Sequence, residues 1–344
     1  ASESLIGTDE NDLIDSAGGN DYVDGKAGND TLAIFSEKGD FTFFGETATL
    51  GGITKMLNGW YYWSGSIGSE YYNYTIKLIN VETVQFNDES LMLDTTLAAE
   101  SIIWGSYASE NLIGTNEDDL FDSAGGDDYI DGKAGNDTLT IFSYKDIFEI
   151  FTVAGITKLF TNSATDLGID YNWDVIRLIN TESIIFIDET IDINTELTSP
   201  YIIWGTTASE NLTGTDEDNV FDSYGGNDNI VGKAGNNTLA IFSARDNFEI
   251  LTIAGITKIL GNKSTDFFIS NDYNGGLITM MQVGNVAFSD QSITLDTTFP
   301  EGIELVNWGT SGSENLDGNS QNEMFDSRGG SDYINGYGGD DLLL

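Results

Sequence analysis

Acidic side chains recur at a fixed interval in one part of this sequence. From residue 105 the chain divides into five segments of nine residues: GSYASENLI, GTNEDDLFD, SAGGDDYID, GKAGNDTLT and IFSYKDIFE. The sixth position of every segment is an acid, and these acids are Glu110, Asp119, Asp128, Asp137 and Asp146. The eighth position is always apolar, and small residues, often Gly, recur among the first four positions, where tight turns need them. The spacing predicts a six-residue turn followed by a three-residue strand whose apolar residue points inward.

Stacking such segments brings the acids together. If two segments make one coil, each segment lies on the next but one, at the sheet spacing of about 4.8 Å. Like charges at that distance are costly unless a cation lies between them. Ca²⁺ suits such a site because it takes about six to eight oxygen ligands, including backbone carbonyls. Since a narrow coil has a thin apolar core, we expect metal binding to supply folding free energy.

Four related blocks begin at Leu5, Leu112, Leu212 and Leu316, with acidic, aromatic-rich, strand-like stretches between them. The segments resemble the motif G-G-x-G-x-D-x-U-x of the RTX (repeats-in-toxin) family, whose calcium-binding repeats form a parallel β-roll. The stretches KLINVETVQFNDESLML (77–93) and RLINTESIIFIDETIDI (177–193) resemble the segment after the roll in serralysin-type secreted proteins. In the third stretch, Gly284 stands where Glu82 and Glu182 stand in the others.

The resemblance implies an all-β fold in which four calcium-binding parallel β-rolls, a β-solenoid, alternate with β-rich spacers. We predict β-rolls at 1–43, 104–149, 204–249 and 308–344. The spacers are predicted at 44–103, 150–203 and 250–307.

The family resemblance also implies a ligand set. Each ion would lie between two stacked turns, bound by carbonyls two and four and acid six of the upstream turn, and by carbonyls one and three and acid six of the downstream turn. In roll 2 the sets are Thr115, Glu117 and Asp119 with Gly132, Ala134 and Asp137; Ala124, Gly126 and Asp128 with Ile141, Ser143 and Asp146; and a weaker set, Ser106, Ala108 and Glu110 with Ser123, Gly125 and Asp128. In roll 1 they are Thr8, Glu10 and Asp12 with Gly25, Ala27 and Asp30, and a poorer set, Ser16, Gly18 and Asp21, opposite which Gly39 replaces the acid. In roll 4 they are Asn319, Gln321 and Glu323 with Gly336, Gly338 and Asp341, and Asp332 on the other edge.

Roll 3 departs from the pattern because Asn219 and Asn237 replace both acids of one site. Losing both leaves no unpaired buried charge, and two amides can hydrogen-bond across the turns without an ion. We therefore predict weak or no calcium binding by the set Thr215, Glu217 and Asn219 with Gly232, Ala234 and Asn237. The opposite edge is predicted to bind one ion through Tyr224, Gly226 and Asp228 with Ile241, Ser243 and Asp246.

Composition restricts the function further. The 344 residues include 13 Lys and Arg against 57 Asp and Glu, a net charge of −44, which disfavours nucleic acid and anionic membranes as partners. At 40% hydrophobic and 12% aromatic, the chain is too apolar for an acidic disordered tail. Without histidine or cysteine it has no Ser-His or Cys-His nucleophile and no disulfide. The sequence contains no apolar run of about 18 residues, so it predicts no membrane-spanning helix. We predict that the chain is not an enzyme.

The pattern favours a calcium-binding structural segment of a large secreted or cell-surface bacterial protein, an adhesin or surface-layer-like array. It would fold after export, because extracellular sites of this kind bind calcium at about 10⁻⁴–10⁻³ M. Two alternatives stay open: a calcium-folded C-terminal secretion and stability module of an extracellular hydrolase, and a carbohydrate-binding module that uses the aromatic run at 59–74. Other copies of the chain or cell-surface glycans are the further candidate partners. Because Ala1 lies within a repeat, we expect a segment of a longer protein, and the terminal DDLLL suits either a secretion tail or a roll strand.

Overall fold

A computed structural model of the chain describes residues 2–16, 19–43, 49–99, 101–193 and 201–344, except 59–73, 162–174, 262–275, 304 and 311, and also describes 195, 197 and 199. Its regular structure is almost entirely β-strand, so the predicted all-β class is confirmed. Single 3₁₀ turns occur at Lys38–Asp40, Lys145–Ile147 and Arg245–Asn247. The chain divides into two compact units, Ala1–Thr198 and Ser199–Leu344, which are described separately.

The first unit contains two repeats. The strands of repeat 1 are β1 Ser4–Ile6, β2 Leu13–Asp15, β3 Asp21–Asp24, β4 Thr31–Ala33, β5 Phe41–Phe43, β6 Thr49–Leu50, β7 Ile53–Asn58, β8 Tyr74–Ile79, β9 Thr83–Gln85 and β10 Ser90–Met92. Those of repeat 2 are β11 Ser101–Trp104, β12 Asn111–Ile113, β13 Asp119–Asp122, β14 Tyr129–Asp131, β15 Thr138–Thr140, β16 Phe148–Val153, β17 Ile156–Thr161, β18 Val175–Ile179, β19 Ser183–Ile185 and β20 Thr190–Asp192.

The second unit contains one full repeat and the start of another. The strands of repeat 3 are β21 Tyr201–Trp204, β22 Asn211–Thr213, β23 Asn219–Asp222, β24 Asn229–Val231, β25 Thr238–Ile241, β26 Phe248–Ile253, β27 Ile256–Gly261, β28 Leu277–Met281, β29 Asn285–Phe288 and β30 Ser292–Thr294. Those of repeat 4 are β31 Leu305–Trp308, β32 Asn315–Asp317, β33 Glu323–Asp326, β34 Tyr333–Asn335 and β35 Leu342–Leu343.

Successive nine-residue segments add strands to two sheets in turn. In repeat 2, one sheet has the order β11-β13-β15-β19-β20 and the other β12-β14-β18-β17-β16. The parallel register places Phe121 opposite Leu139 in the first sheet and Leu112 opposite Ile130 in the second. All four eighth-position side chains are buried in one apolar cluster. The predicted inward direction of position eight is therefore confirmed for this roll.

The stretches after the nonapeptide blocks extend the same two sheets. In repeat 2, β18 pairs parallel with β14, and β19 pairs parallel with β15. Repeat 1 adds β8 to β3 and β9 to β4, and repeat 3 adds β28 to β24 and β29 to β25. The long strands β16 and β17 form an antiparallel hairpin at the outer side of β18. The first three rolls therefore each share their sheets and their core with the stretch that follows.

Within the first unit, repeats 1 and 2 meet at an apolar joint. Leu50 and Ile53 of repeat 1 pack with Leu120 and Phe142 of repeat 2 in a single buried cluster. Asp122, which is fully buried, accepts a hydrogen bond from Lys55 Nζ at 2.6 Å. Burial lowers the pKa of Lys55, whereas the charge of Asp122 raises it.

The ion pair of this joint is extended by a second lysine and by aromatic rings. Lys77 Nζ lies 3.3 Å from Asp122 Oδ2 and 4.7 Å from the centroid of the Trp104 ring. Lys55 Nζ lies 4.2 Å from the centroid of Phe142. In the second unit, Lys258 of repeat 3 makes the equivalent ion pair with the buried Asp326 of repeat 4, at 2.8 Å. In each unit the joint between repeats thus contains a buried carboxylate paired with a lysine.

Candidate calcium sites

On one edge of repeat 2, which we name the first edge, acids of successive turns form a column. The backbone N–H of Asp119 donates to Asp137 Oδ1 at 2.8 Å, and the N–H of Asp137 donates to Glu182 Oε2 at 2.7 Å. In repeat 1 the N–H of Asp12 donates to Asp30 Oδ1 at 2.8 Å. Each of these hydrogen bonds uses one carboxylate oxygen and leaves the other free to face a neighbouring turn.

Several of the remaining oxygens are buried without a donor. Asp119 and Asp137 are 0% and 1% exposed, yet Asp119 Oδ1 and Asp137 Oδ2 have no hydrogen-bond partner. Asp30 Oδ2 and Asp21 Oδ2 are in the same state in repeat 1. A buried charged oxygen without a partner is strongly unfavourable. A divalent cation between the turns would satisfy these oxygens, so the residues present fit calcium.

The electrostatics agree with this reading. Burial raises the pKa of Asp137 to about 7, and the charges of Glu182, Asp119 and Asp118 act in the same direction. Burial also raises the pKa of Asp228 to about 7, with the charge of Glu210 adding to the effect. Without a cation, these folded positions disfavour the ionised carboxylate that calcium would require.

The turns pack so closely that glycine is required at particular positions. A Cβ on Gly132 would collide with Asn180 O and with Asp137 Oδ2. Gly135 has a φ of +132°, and a Cβ there would lie 2.6 Å from Glu117 O. The glycines thus let carbonyl and carboxylate oxygens of consecutive coils converge, which is the arrangement a calcium ion uses.

The structure brings together four of the predicted ligand sets. Besides the Asp119–Asp137 and Asp12–Asp30 pairs, the N–H of Glu323 donates to Asp341 Oδ1 at 3.0 Å, and the N–H of Glu110 donates to Asp128 Oδ1 at 2.9 Å. The turns of these acids stack in the predicted order: Thr115, Glu117 and Asp119 on Gly132, Ala134 and Asp137; Thr8, Glu10 and Asp12 on Gly25, Ala27 and Asp30; Asn319, Gln321 and Glu323 on Gly336, Gly338 and Asp341; and Ser106, Ala108 and Glu110 on Ser123, Gly125 and Asp128. Whether each stack binds an ion stays a prediction.

The register predicted for the fifth segment differs from the structure. The strand after Asp128, β14, has β18 as its outer neighbour. The strand after Asp146, β16, lies at the far edge of the same sheet, separated from β18 by β17. The carbonyl of Ile141 accepts the N–H of Ser143, and the carbonyl of Ser143 accepts the N–H of Ile187. The nonapeptide register therefore does not hold for one predicted set. The structure does not stack Ala124, Gly126 and Asp128 on Ile141, Ser143 and Asp146.

The same correction applies to repeat 3. The strand after Asp228, β24, pairs with β28, and β26, which follows Asp246, again lies two strands further out. The carbonyl of Ser243 accepts the N–H of Ser289. The predicted stacking is therefore wrong here as well. The structure does not place Tyr224, Gly226 and Asp228 on Ile241, Ser243 and Asp246. The physical reason is that the long hairpin strands prefer pairing with each other to continuing the coil.

In repeat 1, Ser16 and Asp21 are buried, and Gly18 lies outside the described residues. Asp21 Oδ1 accepts the N–H of Glu3 at 2.9 Å. Gly39 lies in a 3₁₀ turn, and a Cβ there would meet no atom within 4 Å. An acid would therefore fit at this position sterically, although none is present.

The amide pair of repeat 3 replaces the carboxylate pair in place. The N–H and Nδ2 of Asn219 both donate to Asn237 Oδ1, each at 3.0 Å. Asn237 Nδ2 in turn donates to Ala234 O and to Gln282 O, each at 3.0 Å. The amide hydrogens therefore reach carbonyl oxygens of the kind that a cation would bind.

Sequence reasoning missed several acids that extend the columns. Glu82 and Glu182 follow the last nonapeptide turn in space but lie outside the ninefold frame of the sequence. Glu210 and Glu314 donate their N–H groups to Asp228 Oδ1 and Asp332 Oδ1, at 2.9 and 3.1 Å. No predicted ligand set included Glu210 or Glu314.

Among the residues that the structure describes, no three acidic side chains converge on one point as a metal cluster. None of the described helices is long and apolar enough to cross a membrane.

Comparison with known proteins identifies the repeats. Residues 1–32, 104–139, 204–239 and 308–343 match the RTX calcium-binding nonapeptide repeat. The four blocks are thus RTX calcium-binding repeats, and the resemblance read from the sequence is confirmed. No curated protein sequence matches the chain.

Among solved structures, an extracellular lipase, LipA from Serratia marcescens, is similar at 10% sequence identity over 53% of this chain. The match spans 38% of the lipase chain, and its TM-score is 0.16. An overlap this small carries no argument about the activity of the present chain.

Proposed function

We propose that this chain is a calcium-folded structural array from a secreted or cell-surface protein, with no catalytic role. The observation that carries the proposal is the column of buried acids on the first edge. Asp137 is 1% exposed, and its Oδ2 has no donor. While these acids are ionised, such a fold is favourable only when a cation lies between the turns. Extracellular calcium is millimolar, which suits sites of this affinity class.

The array would be stiffened by two different devices. Calcium would hold consecutive coils within a repeat, and the Lys55–Asp122 pair with its apolar surroundings holds repeat 1 on repeat 2. The second device needs no metal, so it orders neighbouring repeats once each has folded. A chain built in this way is suited to act as a rigid spacer.

The alternative of a calcium-folded module attached to an extracellular hydrolase uses the same sites and predicts the same metal dependence. A catalytic domain encoded beside this segment would favour that alternative. The carbohydrate-binding alternative rests on the aromatic run 59–74. Residues 59–73 of this run lie outside the described residues, as does the side chain of Tyr74.

Circular dichroism of the whole chain tests the proposal. The far-UV spectrum in chelator should indicate an unfolded chain, and millimolar calcium should restore a cooperative β-sheet signal. At free calcium about 100 times the dissociation constant, each independent site contributes about 2.7 kcal/mol. Magnesium should substitute poorly, because it demands octahedral geometry and retains its waters. Identical melting curves in chelator and in calcium would refute the proposal.

A further inference from the structure

The acid column of the first edge does not stop at the last nonapeptide turn. In repeat 2, the N–H of Asp137, the last position-six acid of the first edge, donates to Glu182 Oε2. In repeat 1 the N–H of Asp30 donates to Glu82 Oε2 at 2.6 Å, although the two residues are 52 positions apart. Glu82 and Glu182 therefore occupy the place of one more position-six acid, supplied by the returning chain.

The oxygen atoms around this place point to a ligand. Asp137 Oδ2 is buried and has no donor, and Asn180 O lies beside it, since a Cβ on Gly132 would collide with both. Asp30 Oδ2 and Asn80 O have the same relation to Gly25. Two acceptors converge at each position with no hydrogen between them, which a cation would resolve.

The backbone is shaped for this convergence. Asn80 and Asn180 both adopt a left-handed conformation, with φ of 52° and 50°. Their side chains are held by hydrogen bonds to Asp24 Oδ1 and Asp131 Oδ1, at 2.9 and 2.8 Å. The strained turn is therefore fixed from outside, and its carbonyl is directed at the acid column.

Repeat 3 supplies a natural comparison. Its returning turn has the same backbone pairing, because the N–H groups of Gly284 and Asn285 donate to Asn237 O as those of Glu182 and Ser183 donate to Asp137 O. Here the acids are absent, and Asn237 Nδ2 donates to Gln282 O at 3.0 Å. An N–H···O hydrogen bond therefore stands in repeat 3 where two acceptor oxygens face each other in repeats 1 and 2.

We propose that repeats 1 and 2 each have a closing calcium site, between the last nonapeptide turn and the returning turn. In repeat 2 its ligands are the carboxylates of Asp137 and Glu182 with the carbonyl of Asn180. In repeat 1 they are those of Asp30 and Glu82 with the carbonyl of Asn80. Repeat 3 has none. This inference rests on the proposed calcium-dependent fold and adds a site that the nine-residue motif does not contain.

The test counts bound ions in the full chain by flow dialysis with radioactive calcium. Glu182→Gln keeps an acceptor for the Asp137 N–H but removes the charge, and it should bind one ion fewer than the wild type. Glu82→Gln should also lose one, and the double variant two. The matched controls, Glu189→Gln and Glu89→Gln, alter exposed acids one turn away and should leave the count unchanged.

A gain of binding keeps the proposal testable if the loss variants unfold. Gly284 has open space where its side chain would be, so Asn237→Asp with Gly284→Glu should add one ion to repeat 3. A wild-type chain that binds calcium while Glu182→Gln binds the same number with unchanged affinity would overturn the closing site alone. A wild-type chain that binds no calcium would overturn the proposed function as well.

Discussion

Asn219 and Asn237 are joined through their side chains, with Asn219 Nδ2 donating to Asn237 Oδ1 at 3.0 Å. The equivalent residues of repeat 2, Asp119 and Asp137, keep only the backbone hydrogen bond and leave buried oxygens without donors. Amide hydrogens satisfy this turn geometry in repeat 3, whereas under the proposed function a cation would satisfy it in repeat 2. The two solutions predict different responses to metal.

Restoring the acids should restore calcium binding in repeat 3. The double variant Asn219→Asp/Asn237→Asp should bind one more calcium ion than the wild type and become more dependent on calcium for stability. The single variant Asn237→Asp should be less stable than either, because it leaves one buried charge beside a neutral amide. Calcium titration followed by thermal melting measures both effects. A fully occupied calcium ion between the wild-type Asn219 and Asn237 in a crystal structure would contradict the prediction.

Removing charge from repeat 2 should depend on position within the turn. Asp119→Asn or Asp137→Asn should weaken calcium binding and destabilise the repeat, by about 3–5 kcal/mol if a buried charge is left unpaired. Glu117→Gln is the control, since Glu117 is exposed and only its carbonyl faces the next turn. Calcium-dependent denaturation midpoints provide the measurement.

The double variant Asp119→Asn/Asp137→Asn should lose less stability than the sum of the losses in the two single variants, because the amide pair of repeat 3 shows that two amides satisfy each other. Equal losses for Glu117→Gln and for the aspartate variants would mean that general acidity, not a ligand arrangement, governs binding.

Breaking the joint between repeats 1 and 2 should destabilise the chain even in saturating calcium. In Lys55→Met the buried Asp122 loses its closest cation, and we expect a loss of about 3 kcal/mol in urea unfolding. Lys26→Met is the matched control, since Lys26 is exposed in its pair with Asp24 and its loss should lower the stability much less than the loss of Lys55 does. If the two variants have the same unfolding midpoint, the joint does not contribute as proposed.

Acidification should stabilise the metal-free fold and destabilise the calcium-loaded fold. The pKa of Asp137 is raised to about 7, above the value of roughly 3.9 in an unfolded chain. The metal-free fold therefore binds this proton more tightly than the unfolded chain does, and its stability is lost as pH rises from about 4 to about 7. Calcium needs the ionised acid, so the calcium-loaded fold should gain stability over the same range.

The β-sheet signal in calcium-free buffer, compared at pH 5 and pH 7.5 with the melting temperature in excess calcium, checks this reversal. The Asp137→Asn variant should show a smaller dependence on pH in both conditions. A pH dependence of the same sign with and without calcium would refute the prediction.

The sequence was sufficient to predict the features that depend on residues close together in the chain. The ninefold spacing was sufficient to place Phe121 and Leu139 in the core and to stack Asp119 on Asp137. It could not predict that β18 replaces the fifth segment beside β14, because no spacing in the sequence encodes a strand that returns after a long hairpin. The Lys55–Asp122 pair was missed for the same reason, as its partners are 67 residues apart.

The strand that completes each of the first three rolls comes from far along the chain; in repeat 2, Asp137 and Glu182, which it brings together, are 45 residues apart. Closing so long a loop costs entropy before any contact repays it. Ions can bind the early turns quickly, but the last rung waits for the returning strand. The consequence is an order of events in time: repeats 1 to 3 should each reach their final form in a single late step, limited by loop closure and not by the arrival of metal.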